Sequence, residues 1–380
     1  MRALLAAASV ALSDAPSPAL DYAALADRIV RHAALQPGES VLLVTHPATL
    51  APLVPHLRLA LARAGAVDLG ALQVLEPPEG TPPEALKAAR ERTRDALRAR
   101  FANVDLVVML PGAGPAHAEY AALTSLLGEG RRAIHFHWRG SGSAASAVAL
   151  PGGALPAPEA MDAAYQRAVL RTDVTAVAAA QQRFEAALRE GEIRVTTPLG
   201  TDLRFRVGDR PVNRQDGDAS RARARQGRIH IDYDVEIPVG VVRVAPLEET
   251  VSGTIAFPPS TWNGQPVEGL RLAFEKGRVV SVTAASGREA VEAEMARGGE
   301  AARAFREFAL GFNPELAVPA DRSWIPYYGY GAGVVRLSLG DNGELGGAVR
   351  GAYFRWNFFA DATVTVAGRR WVEDGRLTAP

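Results

Sequence analysis

Three short apolar runs, each separated from the next by a stretch with helical periodicity, constrain this chain most. Val41–Val44 reads VLLV, Leu72–Leu75 reads LQVL, and Val104–Leu110 reads VDLVVML. Between them, Tyr22–Leu35 and Leu53–Arg63 place apolar residues on one helical face, and Pro82-Pro83 opens a charged helix over Glu84–Arg100. Strands apolar on both faces, alternating with helices, imply a doubly wound parallel sheet covered on both sides.

The pattern changes after Gly191. Ile193–Thr196, Leu203–Val207, Ile229–Ile237, Val241–Val244, Gly253–Phe257, Leu270–Glu275 and Val279–Val282 read as short strands. A helix is expected over Arg288–Phe308, with further strands at Gly333–Leu339, Ala352–Phe359 and Thr363–Val366. The expected fold class is therefore α/β: an N-terminal doubly wound α/β domain over residues 20–170, then a β-rich α+β domain over 171–380. A Gly/Ser/Ala/Pro stretch at 138–160 reads as an exposed loop, and a helix is expected from Thr172 to Arg189. Residues 1–19 read either as a disordered leader or as an export signal. Arg2, the apolar Ala3–Leu12 stretch and the small residues Ala11-Leu12-Ser13 fit a signal over residues 1–13, which would make the protein periplasmic; otherwise it is cytoplasmic.

The 380 residues include no cysteine, which excludes disulfides, thiolate metal sites and a cysteine nucleophile. Forty-two basic residues balance 42 acidic ones. That balance argues against nucleic acid or an acidic membrane as the main partner. No apolar run reaches the ~18 residues of a membrane span.

Several blocks in the second half are specific: IRVTTPLGTDLRF at 193–205, PVGVVRVAPLEETVSGT at 238–254, EFALGFNP at 307–314, GVVRLSLGDNGELGG at 333–347 and YFRWNF at 353–358. In order and spacing they resemble the thermophilic metallo-aminopeptidases, the family of aminopeptidases T and S, whose fold the dihydroxypyridine dioxygenases share. The resemblance implies two divalent metals that activate water, and a homodimer. It also implies where the ligands stand. The first glutamate falls on Val241, the second on Glu307, the histidine on Arg336, and the terminal H-x-D on Arg355-Trp356-Asn357. One ligand of five is kept. Valine has no donor atom, and arginine is a permanent cation that does not ligate metal.

The expectation is thus a catalytically degenerate homologue without a metal cofactor. Glu307, Arg336 and Arg355 should converge where the metals stood. They would either form a salt-bridged cluster or leave a positive charge that holds a peptide, amino acid or small carboxylate, with Asn357 nearby. Tyr328 and Tyr330, in WIPYYGYGAG, would wall that pocket or pack on the second-domain core. Two alternatives remain. An active metal-dependent aminopeptidase would rebuild its ligands from Glu307 with His230, Asp232, Asp234 and Glu236, or with Glu248 and Glu249. The first four alternate along a presumed strand and would face one way, though spread over ~20 Å at ~3.3 Å per residue. A metal-free acid–base enzyme would use Glu307 itself. His135 and His137 share a strand face without an evident third ligand, and the arginine run Arg221–Arg225 reads as a solvated loop.

Overall fold

The computed structural model describes residues 19–74, 80–114, 117–128, 131–138 and 147–378. The leader expected over 1–19 therefore lies outside the described residues except for Ala19.

Three sheets form the scaffold. The first is parallel, in the order Val67–Gln73, Ser40–Thr45, Leu106–Met109, Arg132–Phe136, Asp234–Ile237. Helix Tyr22–Ala33 buries Leu25, Ile29 and Val30 against it, capped by the Asp21 side chain accepting from Ala24 N at 2.9 Å. The central sheet is antiparallel, in the order Phe354–Phe359, Val335–Gly340, Phe305–Gly311, Val241–Val244, Asn213–Gln215. An eight-stranded antiparallel sheet runs from Arg278–Thr283 at one edge to Arg376–Leu377 at the other.

Two cores follow from this layering. One face of the central sheet (Val242, Val244, Phe308, Leu310, Leu337, Leu339) packs with the eight-stranded sheet and the helices Val174–Ala187 and Arg288–Ala302. Its opposite face turns toward the first sheet. There Val241 and Ala309 join a core with Ile134, Phe136, Val235, Ile237, Tyr327, Tyr328 and Tyr330. The expected α/β domain followed by a β-rich region is the architecture observed.

Three local expectations are corrected. Ile229–Ile237 is not one strand. His230–Tyr233 is a 3-10 turn, and only Asp234–Ile237 is extended, pairing parallel with Arg132–Phe136 in the first sheet. Asp232 closes the turn by accepting from the backbone N–H groups of Arg228 and Ile229 at 2.9 and 3.3 Å. The helix expected over Arg288–Phe308 ends at Ala302, broken at Gly299 (φ 62°, ψ −153°), and Phe305–Gly311 is a fully buried strand. A buried strand that carries charged residues shows no alternation, so its periodicity does not separate it from a helix. Finally, helix Pro158–Arg171 begins inside the presumed loop, and Ala147–Ala149 pairs with Trp324–Pro326.

A buried fork ties the entry of the first sheet together. Arg132, 1% exposed, donates Nη2 and Nη1 to the two Glu39 oxygens at 2.8 and 3.2 Å, and Nε to the Ala219 carbonyl at 2.5 Å. Arg221 Nε reaches the same carboxylate at 2.7 Å. Glu39→Ala strands these charges and should cost about 3–5 kcal/mol of unfolding free energy, read by urea denaturation. A cost below about 1 kcal/mol would show the fork to be dispensable.

Candidate functional site

Glu307 occupies the middle strand of the central sheet, 0% exposed. Antiparallel pairing puts Ser338 opposite Glu307 and Arg336 opposite Ala309, while Arg243 faces Ala309 from the other side. Cross-strand partners share a face, so three polar chains meet Glu307 from both neighbouring strands. Arg336 Nε lies 2.9 Å from Oε1, and Ser338 Oγ donates to the same oxygen at 3.2 Å. Arg243 donates Nη2 and Nε to Oε2 at 2.9 and 3.1 Å, and Nη2 also to Glu344 at 2.9 Å. Arg306 pairs with Glu344 and stands 4.0 Å from Glu307. Glu344, 42% exposed, opens this row to solvent.

The electrostatics follow from burial and company. Burial alone would push the Glu307 carboxyl up. The charges of Arg243, Arg336 and Arg306 outweigh it and hold the group far below the usual carboxylate range. Burial likewise disfavours the Arg243 cation, but Glu307, Glu344 and Glu236 more than compensate. For Arg336 burial wins, and its affinity for the proton falls. Arg336 Nη1 donates to the Tyr328 carbonyl at 3.1 Å. Its Nη2 is buried without a hydrogen-bond acceptor among the described residues, as are Trp356 Nε1 and the Tyr327 hydroxyl. The guanidinium carbon stands 5.2 Å from the Trp356 ring centroid and 6.0 Å from that of Tyr330.

Arg355 does not join this cluster, which corrects the expected convergence. It pairs with Leu339, on the opposite face of the sheet from Arg336. Its Nη1 donates to Glu294 at 2.9 Å, its Nη2 to the Thr261 carbonyl at 2.8 Å, and its guanidinium stacks 3.6 Å from the Trp262 ring. Asn357 follows the same face, accepting from Arg355 Nε at 3.2 Å and donating to the Leu337 carbonyl at 3.1 Å. The residues of this strand that share Arg336's face are Trp356 and Phe358.

The aromatic loop is neither an open wall nor part of the second-domain core. Tyr327, Tyr328 and Tyr330 are buried in the core shared with the first sheet, and Tyr165 meets Tyr327 edge-on at 5.8 Å. On the first-sheet side, Glu236 lies in register with His135, which stacks on His137 at 3.8 Å, and His137 meets the Tyr328 ring at 5.3 Å. Burial keeps both imidazoles neutral and lifts the Asp234 carboxyl to about 6.

Sequence reasoning missed Arg243 and Arg306. A lone arginine inside an apolar run, as in VVRV and FREF, was the available signal: buried charge demands a buried partner. Val241 is buried beside Arg243 with nothing to offer a metal.

A divalent metal pair does not fit these residues. Both oxygens of the one retained glutamate are already engaged by guanidinium groups and a hydroxyl. Among the described residues no three His, Asp or Glu side chains are grouped to hold an ion. His230, Asp232, Asp234 and Glu236 do not line one strand, because the first two sit in the 3-10 turn. Glu248 is engaged instead by Arg210, by Asn342 Nδ2 at 3.0 Å and by Ala348 N at 2.7 Å. Of the basic run, Arg221 pairs with Glu39 and Asp105, and Arg223 with Asp216. No helix among the described residues is long and apolar enough to cross a membrane.

Comparison with known proteins agrees with the layering. No curated protein sequence matches the chain. Two solved structures share the fold over nearly all of it. One is 2,5-dihydroxypyridine dioxygenase from Pseudomonas putida KT2440, at 16% identity and TM-score 0.65, covering 94% of this chain and 97% of that one. The other is wild-type AmpT from Thermus thermophilus, at 18% identity and TM-score 0.60, covering 94% and 99%. The family described as thermophilic metalloprotease (M29) matches residues 170–317, a span that includes Val241 and Glu307 and stops before Arg336. The resemblance read from the sequence blocks is thus met by the thermophilic metalloprotease (M29) family model over residues 170–317, and by these two structures in fold.

Proposed function

We propose that this chain is a non-catalytic binding protein on the aminopeptidase scaffold, taking a peptide, amino acid or small carboxylate at Arg336. One observation carries the reading: Arg336 Nη2 is a buried cationic donor with no acceptor among the described residues. Three guanidinium groups, of Arg243, Arg306 and Arg336, meet two carboxylates, of Glu307 and Glu344. A buried guanidinium N–H left without an acceptor is costly, and a carboxylate oxygen satisfies it with a charge-assisted hydrogen bond. Trp356 Nε1 and the Tyr327 hydroxyl supply further donors without an acceptor among the described residues.

The same geometry speaks against Glu307 as a proton-transfer group. A carboxylate held far below its ordinary range by flanking arginines is a very weak base. It also speaks against the alternative of a rebuilt metal site, since both Glu307 oxygens and Glu248 are engaged by other groups, and no three His, Asp or Glu side chains among the described residues are grouped to hold an ion. Peptidase activity is accordingly not proposed.

Three outcomes test this. Glu307→Gln removes the negative charge that holds Arg243 and Arg336, and should lower unfolding free energy by about 3–5 kcal/mol; full stability would mean the cluster does not organise the sheet. Propionate should raise the melting temperature of the wild type and leave Arg336→Gln unmoved, and an equal shift in both proteins would remove Arg336 from the binding role. Protein incubated with zinc, manganese or cobalt and then desalted should retain far less than one ion per chain by mass spectrometry. One or two tightly held ions would overturn the non-catalytic reading.

A further inference from the structure

The arginine run at 221–225 does more than face solvent. With the entry of the first sheet it walls a cavity of about 370 Å³, whose polar lining is Asn103, Asp105, Arg131, Arg221 and Arg225. The cavity lies at the amino ends of Ser40–Thr45, Leu106–Met109 and Arg132–Phe136. The Tyr328 turn that leads to Arg336 packs instead on His137, beyond the carboxyl end of Arg132–Phe136. The two places are therefore at opposite ends of the first sheet.

Each arginine is positioned by its own element. Ser220 caps the short helix Arg221–Ala224 by accepting from Arg223 N at 3.1 Å, and Arg225 N donates to the Arg221 carbonyl at 3.1 Å. The i, i+4 spacing puts Arg221 and Arg225 on one face. Arg221 is anchored by Glu39 and Asp105. Arg131 closes a bridge with Gly128, and its Nη2 donates to the Ala102 carbonyl at 2.8 Å.

The acidic groups here are already committed. One Asp105 oxygen accepts from Ser40 N and Oγ at 2.9 and 3.0 Å, and the other from Arg221. Glu39 is taken by Arg132 and Arg221. Three guanidinium groups against one carboxylate leave the described lining two positive charges in excess, and the buried Glu39–Arg132 pair behind it adds none. The exposed Arg225 side chain has no hydrogen bond or ion pair among the described residues. Like charges at i, i+4 repel.

We propose that this cavity binds a small phosphate monoester, with Arg131 and Arg225 gripping the phosphate oxygens and Arg221 contributing a fixed positive charge. A phosphate monoester carries about two negative charges at neutral pH and strong acceptor oxygens. It matches the excess, whereas a monocarboxylate leaves one charge over. Guanidinium forks suit such oxygens. The volume falls within the range of small-molecule sites, roughly 300–1,000 Å³, so inorganic phosphate alone underfills it. The described lining offers no aromatic ring for a nucleobase to stack on, while Asn103 is a polar neighbour for hydroxyl groups. The ligand class is accordingly a small polyol phosphate, and the site stands independently of the one at Arg336.

Titration calorimetry of the full chain with glycerol 3-phosphate, inorganic phosphate and glycerol tests this. Glycerol 3-phosphate should bind at least about tenfold more tightly than inorganic phosphate, and glycerol should not bind. Arg225→Gln and Arg131→Gln should each weaken glycerol 3-phosphate at least about tenfold, while Arg336→Gln leaves it unchanged. Arg225 is exposed, so its replacement spares the fold, and that variant decides the question even if another does not fold. No binding to the wild type, or the same affinity in Arg225→Gln, would overturn the site. Loss in Arg336→Gln alone would overturn it by moving the anion to the central sheet. Inorganic phosphate binding as tightly as the ester would overturn a polyol phosphate as the ligand.

Discussion

Glu307 and its arginines are the interaction on which the rest of the site depends. A carboxylate at the middle of a five-stranded sheet, wholly out of water, survives as an anion only because guanidinium groups approach it from both neighbouring strands. The converse also holds: Arg243 and Arg336, each almost fully buried, have Glu307 as their common counter-charge. The polar face of the central sheet is therefore one electrostatic unit rather than a set of separable residues. Its members can be replaced in concert more cheaply than singly. This explains how a scaffold shared with AmpT can carry a strand sequence such as VVRV without losing its core.

Much of this was legible beforehand, and the failures have identifiable causes. The parallel sheet announced itself through apolar runs between helices, and Glu307 and Arg336, both singled out from their sequence blocks, do meet, at 2.9 Å. Arg355 was misplaced by strand geometry. Successive side chains of a strand alternate faces, so a correspondence off by one residue sends a side chain to the other side of the sheet. The blocks alone do not fix that register; the pairing of Arg336 with Phe358 does. Glu307 was found on the right residue but the wrong element. FREFALG is buried throughout, so no periodicity distinguished strand from helix. Glu236 does not alternate with His230 and Asp232 along one strand, because its real strand, Asp234–Ile237, begins after a 3-10 turn and pairs in the first sheet.

The tyrosine loop shows how packing can serve a polar site indirectly. Tyr327 and Tyr328 both adopt positive φ, at 34° and 48°, in a segment whose side chains are buried against the first sheet. That backbone is unfavourable for bulky residues. What it achieves is the orientation of one carbonyl, that of Tyr328, toward Arg336 Nη1. With Nε beside Glu307 and Nη1 on this carbonyl, the guanidinium plane is fixed, and Nη2 has one direction left to point.

The strand Asp234–Ile237 also determines how anything can enter. The chain leaves the β-rich half, contributes a parallel strand to the first sheet, and at Val241 is already back in the central sheet. The two layers are consequently stitched by consecutive strands, with only Pro238, Val239 and Gly240 between them. A clamshell motion that parted the layers would have to strip Asp234–Ile237 from its neighbour. Traffic to Arg336 is thus expected along the sheet rather than between parting jaws, past Glu344 and the exposed Phe354 at the open rim. Exchange at such a port is governed by side-chain rotation at its lip, on a far faster clock than domain opening.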